Sequence, residues 1–79
     1  MPQIIIYITT ENIKQYISIV QKLDYDIDIS PKNNKRIMID GKSVMGILSL
    51  DLSKPLVLTA HTSEDNISDL KIRLKDYLV

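Results

Sequence analysis

A lone serine, Ser43, stands immediately before Val44-Met45-Gly46-Ile47-Leu48. A hydroxyl at the start of a short helix has two uses. It can cap the helix by accepting a bond from an orphan backbone N–H. It can also carry a phosphate, which the free N–H groups and the positive end of the dipole stabilise. Lys42 adds a cation beside it. One hydroxyl can serve both ends in turn.

Other chemistry-bearing residues are sparse. His61 is the only histidine. No metal-ligand spacing accompanies it, so it reads as a solvated residue at the end of a strand. Asp24, Asp26 and Asp28 have a calcium-loop spacing but lack the glycine and distal glutamate of an EF-hand. Their alternation with Tyr25, Ile27 and Ile29 makes them outer positions of a strand. There is no cysteine, hence no disulfide framework or thiolate metal site. No nucleophile–base pair, glycine-rich phosphate cradle or metal cluster is legible. The residues therefore point away from an enzyme, and no cofactor is expected.

Composition narrows the field further. With 79 residues the chain is a single domain, 1–79. Ten basic residues balance ten acidic ones, so the basic footprint of a nucleic-acid binder is missing. The start, MPQIIIYITT, has no basic n-region, and its apolar run is too short for a signal peptide or membrane span. These features fit a cytoplasmic protein. The chain is rich in Ile, Lys, Asn and Asp and has no Phe or Trp, a usage common in AT-rich bacterial genomes.

The elements that must position Ser43 follow from periodicity. Gln3–Ile8 is β-branched and aromatic and reads as a strand. Ile4, Ile6 and Ile8 face inward; Ile5 and Tyr7 face out. Thr9 or Thr10 caps a helix whose apolar face is Ile13, Tyr16, Ile17, Val20 and Leu23. Asp26–Ser30 alternates as a half-buried strand. Pro31–Asn34 is a turn, and Arg36–Asp40 is a second strand with Ile37 and Ile39 on one face, pairing as a hairpin. Asp40-Gly41 turns the chain into a short helix, Ser43–Leu50. In it Ile47 and Leu50 face the core, while Val44, Met45 and Leu48 face out. Gly46 costs ~1 kcal/mol relative to alanine there, which points to close packing on neighbours or to close approach of a partner backbone.

Asp51–Pro55 is a loop, and Leu56–Ala60 the last strand. Thr62 or Ser63 caps the last helix, with Glu64 and Asp65 at its positive end. Its stripe is Ile67, Leu70, Leu74, Tyr77 and Leu78, leaving Ile72 exposed. The order βαββαβα specifies an α+β fold, a two-layer open-faced sandwich with three helices on one face. The bare face is expected to expose Ile5, Tyr7, Met38 and Val57, either as scattered surface residues or as a face for weak self-association.

The stretch GKSVMGILSL, Gly41 to Leu50, resembles the regulatory-serine segment of HPr, the phosphocarrier of the bacterial sugar phosphotransferase system. Further echoes run in register: QKLDYDIDI, Lys35–Ile39 and SEDNISDLKIRL. The resemblance covers nearly the whole chain. It implies an antiparallel sheet of order 1-4-2-3. It implies that Ser43 is the target of a dedicated kinase. It also implies that Val44, Met45 and Leu48, with Lys42, form a surface read by protein partners such as HPr kinase or a transcriptional regulator.

One departure is severe. The family joins its first strand to its first helix through a glycine-histidine-alanine-arginine-proline run. Here Ile8-Thr9-Thr10-Glu11-Asn12-Ile13 makes that junction. No imidazole is present to accept phosphate, and Glu11 places a negative charge where a phosphoryl group must sit. The chain thus looks similar in kind to the catabolite-repression paralogue of HPr, which lost the histidine and kept the serine. A regulatory docking protein with a phosphoserine switch is the expected function. The alternatives are an interaction module without phosphorylation and a noncanonical phosphocarrier.

Overall fold

The computed structural model describes residues 2–79. Strands β1 (Gln3–Ile6), β2 (Ile27–Pro31), β3 (Ile39–Asp40) and β4 (Leu56–Ala60) form one sheet of order β1-β4-β2-β3, with every neighbour antiparallel. Helices α1 (Ile13–Val20), α2 (Val44–Leu48) and α3 (Ile67–Arg73) supply the second layer. Glu64–Asn66 and Lys75–Tyr77 are single 3₁₀ turns flanking α3.

The core forms where the sheet's inner positions meet the apolar helix stripes. Ile4, Ile6, Leu58 and Ile29 come from the sheet, and Tyr16 and Leu70 from the helices. Alternation along β1 and β2 and the i, i+3, i+4 spacing in α1 place these residues as expected. Ile8 is also fully buried.

Two strands are shorter than their apolar patterns suggest, and proline explains the shortening of β3. β1 ends at Ile6, paired with Leu56. Beyond it the Tyr7 N–H faces away from β4, on the same side as Ile5 O, and donates to the carbonyl of Tyr77, at 2.8 Å. β3 keeps only Ile39 and Asp40, although Arg36–Asp40 reads as a strand. Continuing its register toward Ile37 would require Pro31 as partner. The chain instead turns twice, with Asn34 N–H on Pro31 O and Ile37 N–H on Asn34 O. Ile37 therefore leaves the face of Ile39 and is 43% exposed.

Both end helices also differ in detail. Thr9 and Asn12 bond reciprocally, Asn12 N–H to Thr9 Oγ1 and Thr9 N–H to Asn12 Oδ1, so Thr9 caps the turn before α1. Neither Thr62 nor Ser63 caps the last helical segment. Ser63 makes no side-chain cap bond, and Thr62 Oγ1 accepts from the side chain of Asn66. Leu78 lies off the α3 stripe. It bridges to Ile6 in antiparallel fashion while Val79 N–H reaches Ile5 O. The last residues thus cover the free edge of β1. Ile72 is exposed as expected.

Val57 corrects the expectation for the bare sheet face. It is 5% exposed, seated on the central strand between Ile5 and Ser30. Tyr7 and Met38 are exposed and Ile5 half-buried. The outward apolar surface is therefore smaller than the alternation alone implies.

Candidate functional site

Ser43 sits in extended backbone and its Oγ accepts from the Gly46 N–H at 3.1 Å. That is an N-cap bond. The turn before it is held from several sides. Asp40 Oδ1 accepts from Lys42 N–H, and Gly41 N–H donates to Ile27 O. The Tyr16 hydroxyl donates to Gly41 O at 2.8 Å. Burial, and secondarily the charge of Asp40, pushes the Tyr16 phenol above its ordinary pKa, so it remains a donor.

α2 follows as one and a half turns and ends at Leu48, short of the Leu50 expected. Ser49 and Leu50 close it with bonds to Gly46 O and Ile47 O. Its orientation is as the spacing implies. Ile47 is fully buried and Leu50 partly so. Val44 is 38%, Met45 84% and Leu48 50% exposed. Three apolar side chains thus stand in water beside a half-exposed serine.

Lys42 is placed differently from a phosphate ligand. Its Nζ donates to the carbonyl of Leu23 at 3.0 Å, just past the C-terminal end of α1, where a cation is favoured. The ammonium therefore ties α2 to α1. Gly46 is not demanded by core packing. A methyl there would meet Ser43 Oγ at 3.3 Å and Ile39 Cδ1 at 3.5 Å, so its tightest neighbour is the capping hydroxyl itself.

The remaining candidates do not join this group. His61 is at the end of β4 whose residues pair with the start of β1, so it is remote from the β1–α1 junction. It is not merely solvated: its Nε2 pairs with the Asp28 carboxylate, each about one-third exposed. Its N–H also donates to Asp26 O. Asp28 is an outer residue of β2, whereas Asp24 and Asp26 precede that strand and are exposed. Among the described residues no group of three or more His, Cys, Asp or Glu is arranged to hold a metal ion. At the β1–α1 junction the Thr9–Asn12 lock occupies the chain and Glu11 is exposed.

Sequence reasoning missed the supports of the site. Tyr16 was legible only as a core residue, and Asp40 only as a turn former. The polar end of Tyr16 was the available signal, since a buried phenol must find a partner.

No family model matches the chain, and no curated protein matches it. Among solved structures, that of HPr-C-His from Thermoanaerobacter tengcongensis is similar, with a TM-score of 0.71 and 22% sequence identity. The match covers 96% of this chain and 93% of the other. The antiparallel 1-4-2-3 sheet and its helical layer are thus an HPr-like α+β fold.

Proposed function

We propose that the chain is a phosphotransferase-related regulatory protein that docks on protein partners through α2, with Ser43 as its switch. The observation that carries this reading is the exposure of Val44, Met45 and Leu48 on one short helix whose capping residue is a half-exposed serine. Burying a side chain of this size is worth about 1.5–3 kcal/mol, so three of them give a partner substantial apolar contact. Met45 adds an adaptable surface. By the likeness to HPr, the partners are HPr kinase and a transcriptional regulator, and the setting is the bacterial cytoplasm. No helix among the described residues is long and apolar enough to cross a membrane.

Histidine phosphotransfer is not part of the proposal. The β1–α1 junction offers no imidazole, and His61 lies at the other end of the sheet, bonded to Asp28. The protein works by being bound and has no catalytic residues of its own.

Incubation with HPr kinase and ATP, followed by peptide mass spectrometry, tests the switch. One added phosphate on Ser43 is expected; an unmodified Ser43 removes the switch from the proposal. A second reading keeps the docking surface alone. It is favoured by the engagement of both local polar groups: Ser43 Oγ on the Gly46 N–H and Lys42 Nζ on the Leu23 carbonyl. Under it, partner capture survives Ser43→Ala and is lost in Met45→Asp.

A further inference from the structure

A net charge of zero conceals a separation of charge along the sheet. The β2–β4 register sets Ile27 beside Ala60 at one end and Pro31 beside Leu56 at the other. Asp26, Asp28 and Asp40 gather at the first end, around His61. At the second end the chain from Ile29 to Ile39 contains Lys32, Lys35 and Arg36 and no acid, and Lys54 approaches from the loop before β4. Among the described residues, none of these four cations takes part in an ion pair. The one acid nearby, Asp51, accepts from the Ser53 N–H and hydroxyl and lines the same hollow as Lys54, without forming an ion pair with it.

Between these two loops the surface opens into a cleft of two lobes. One, of about 360 Å³, is lined by Lys32, Asn33, Lys54 and Pro55. The other, of about 290 Å³, runs over Pro31, Ile37, Leu50 and Leu56, with Asp51 and Lys54 at its edge. The rim thus carries Lys32 and Lys54 against the single acid Asp51, and the floor is apolar. An apolar floor open to water gains from burial, and unpaired surface cations attract carboxylates and select among partners more than they add affinity.

We infer that this cleft docks an acidic segment of a partner protein, with an apolar side chain on the Ile37–Leu50 floor and carboxylates at Lys32 and Lys54. A second copy of the chain fits less well. Its acidic end is polar, and one of its carboxylates, Asp28, is already held by His61. A nucleic acid fits less well too, because the cleft has no aromatic side chain for bases to stack on. This surface is separate from Ser43 and stands whether or not that serine is phosphorylated.

The probe is a short fluorescein-labelled peptide with one leucine flanked on both sides by glutamates. Anisotropy and ¹⁵N–¹H shift mapping are read together. Saturable binding is expected, with shifts at Asn33, Ile37, Leu50 and Lys54, weakening as salt is raised. Combined Lys32→Glu and Lys54→Glu is expected to weaken it by about tenfold or more, while Met45→Asp leaves it unchanged. Both lysines are exposed, and Lys54→Gln is the milder variant should the double reversal disturb the fold. No binding, equal binding of the peptide with serine in place of leucine, or shifts confined to Val44–Leu48 would overturn the inference. So would tighter binding of heparin, or self-association abolished by Lys54→Glu.

Discussion

The phenol of Tyr16 donates a 2.8 Å hydrogen bond to the carbonyl of Gly41, joining the middle of α1 to the turn that launches α2. The bond is buried, so removing the donor leaves a carbonyl with no water to replace it. Tyr16→Phe is expected to cost about 1–3 kcal/mol of stability, read as a shift in the urea midpoint. Tyr25 is the control. Its hydroxyl is buried without a partner, and Tyr25→Phe is expected to be neutral or slightly stabilising.

Alkaline pH probes the same group. Burial raises the pKa of Tyr16 above the ordinary 10.0, and raises Tyr25 and Tyr77 as well. The fold therefore retains phenolic protons that the unfolded chain releases. This contribution is complete below the unfolded value and is lost as pH rises from there toward the folded value. Urea midpoints are expected to fall between about pH 10 and 12. In Tyr16→Phe the fall is shallower; an unchanged slope would show that Tyr16 is not its main source.

The two glycines separate a packing requirement from a helix penalty. A Cβ at Gly41 would lie 2.7 Å from Ile27 Cγ1 and 3.1 Å from Ile27 O. The side chain sits in a filled core and the carbonyl is backbone, so Gly41→Ala is expected to destabilise by about 1–3 kcal/mol. At Gly46 the nearest atom is a serine hydroxyl that can move a few tenths of an ångström. Gly46→Ala is expected to gain up to about 1 kcal/mol from helix propensity. Thermal melts of the two variants are expected to shift in opposite directions.

Ser43 carries a measurable structural role that does not depend on phosphorylation. Ser43→Ala removes the acceptor for the Gly46 N–H and is expected to cost about 1 kcal/mol. Ser43→Asp keeps an acceptor and adds a favourable charge, so it is expected to hold near wild-type stability. Equal losses in both variants would mean that the cap contributes little.

The C-terminal pairing guards an edge. Val79 N–H donates to Ile5 O beside the Ile6–Leu78 bridge. Val79→Pro deletes that donor and opens part of β1 to strand-to-strand pairing. Light scattering is expected to report concentration-dependent association in the variant and none in the parent chain.

Much of this architecture was legible because it rests on local periods. The alternation in Gln3–Ile6 and Ile27–Ser30, and the helical spacing from Ile13 to Val20, each name a buried face without reference to the rest of the chain. The outward set of Val44, Met45 and Leu48 followed in the same way. The strand ends were less legible. Pro31 cuts the β2–β3 ladder by failing as a partner, and a partner is known only once the register is.

Residue type and spacing by themselves determined the βαββαβα order, the core-facing residues and the serine helix with its outward apolar side chains. Only the tertiary structure decided that Lys42 is held by α1, that His61 pairs with Asp28, that Val57 is covered, and that cations of two loops rim one cleft. The reason is range. Periodicity records which side of an element meets the core, whereas these contacts join residues 19 or more positions apart, for example Lys42 with Leu23 and His61 with Asp28. Nothing in the local pattern of either partner specifies the other.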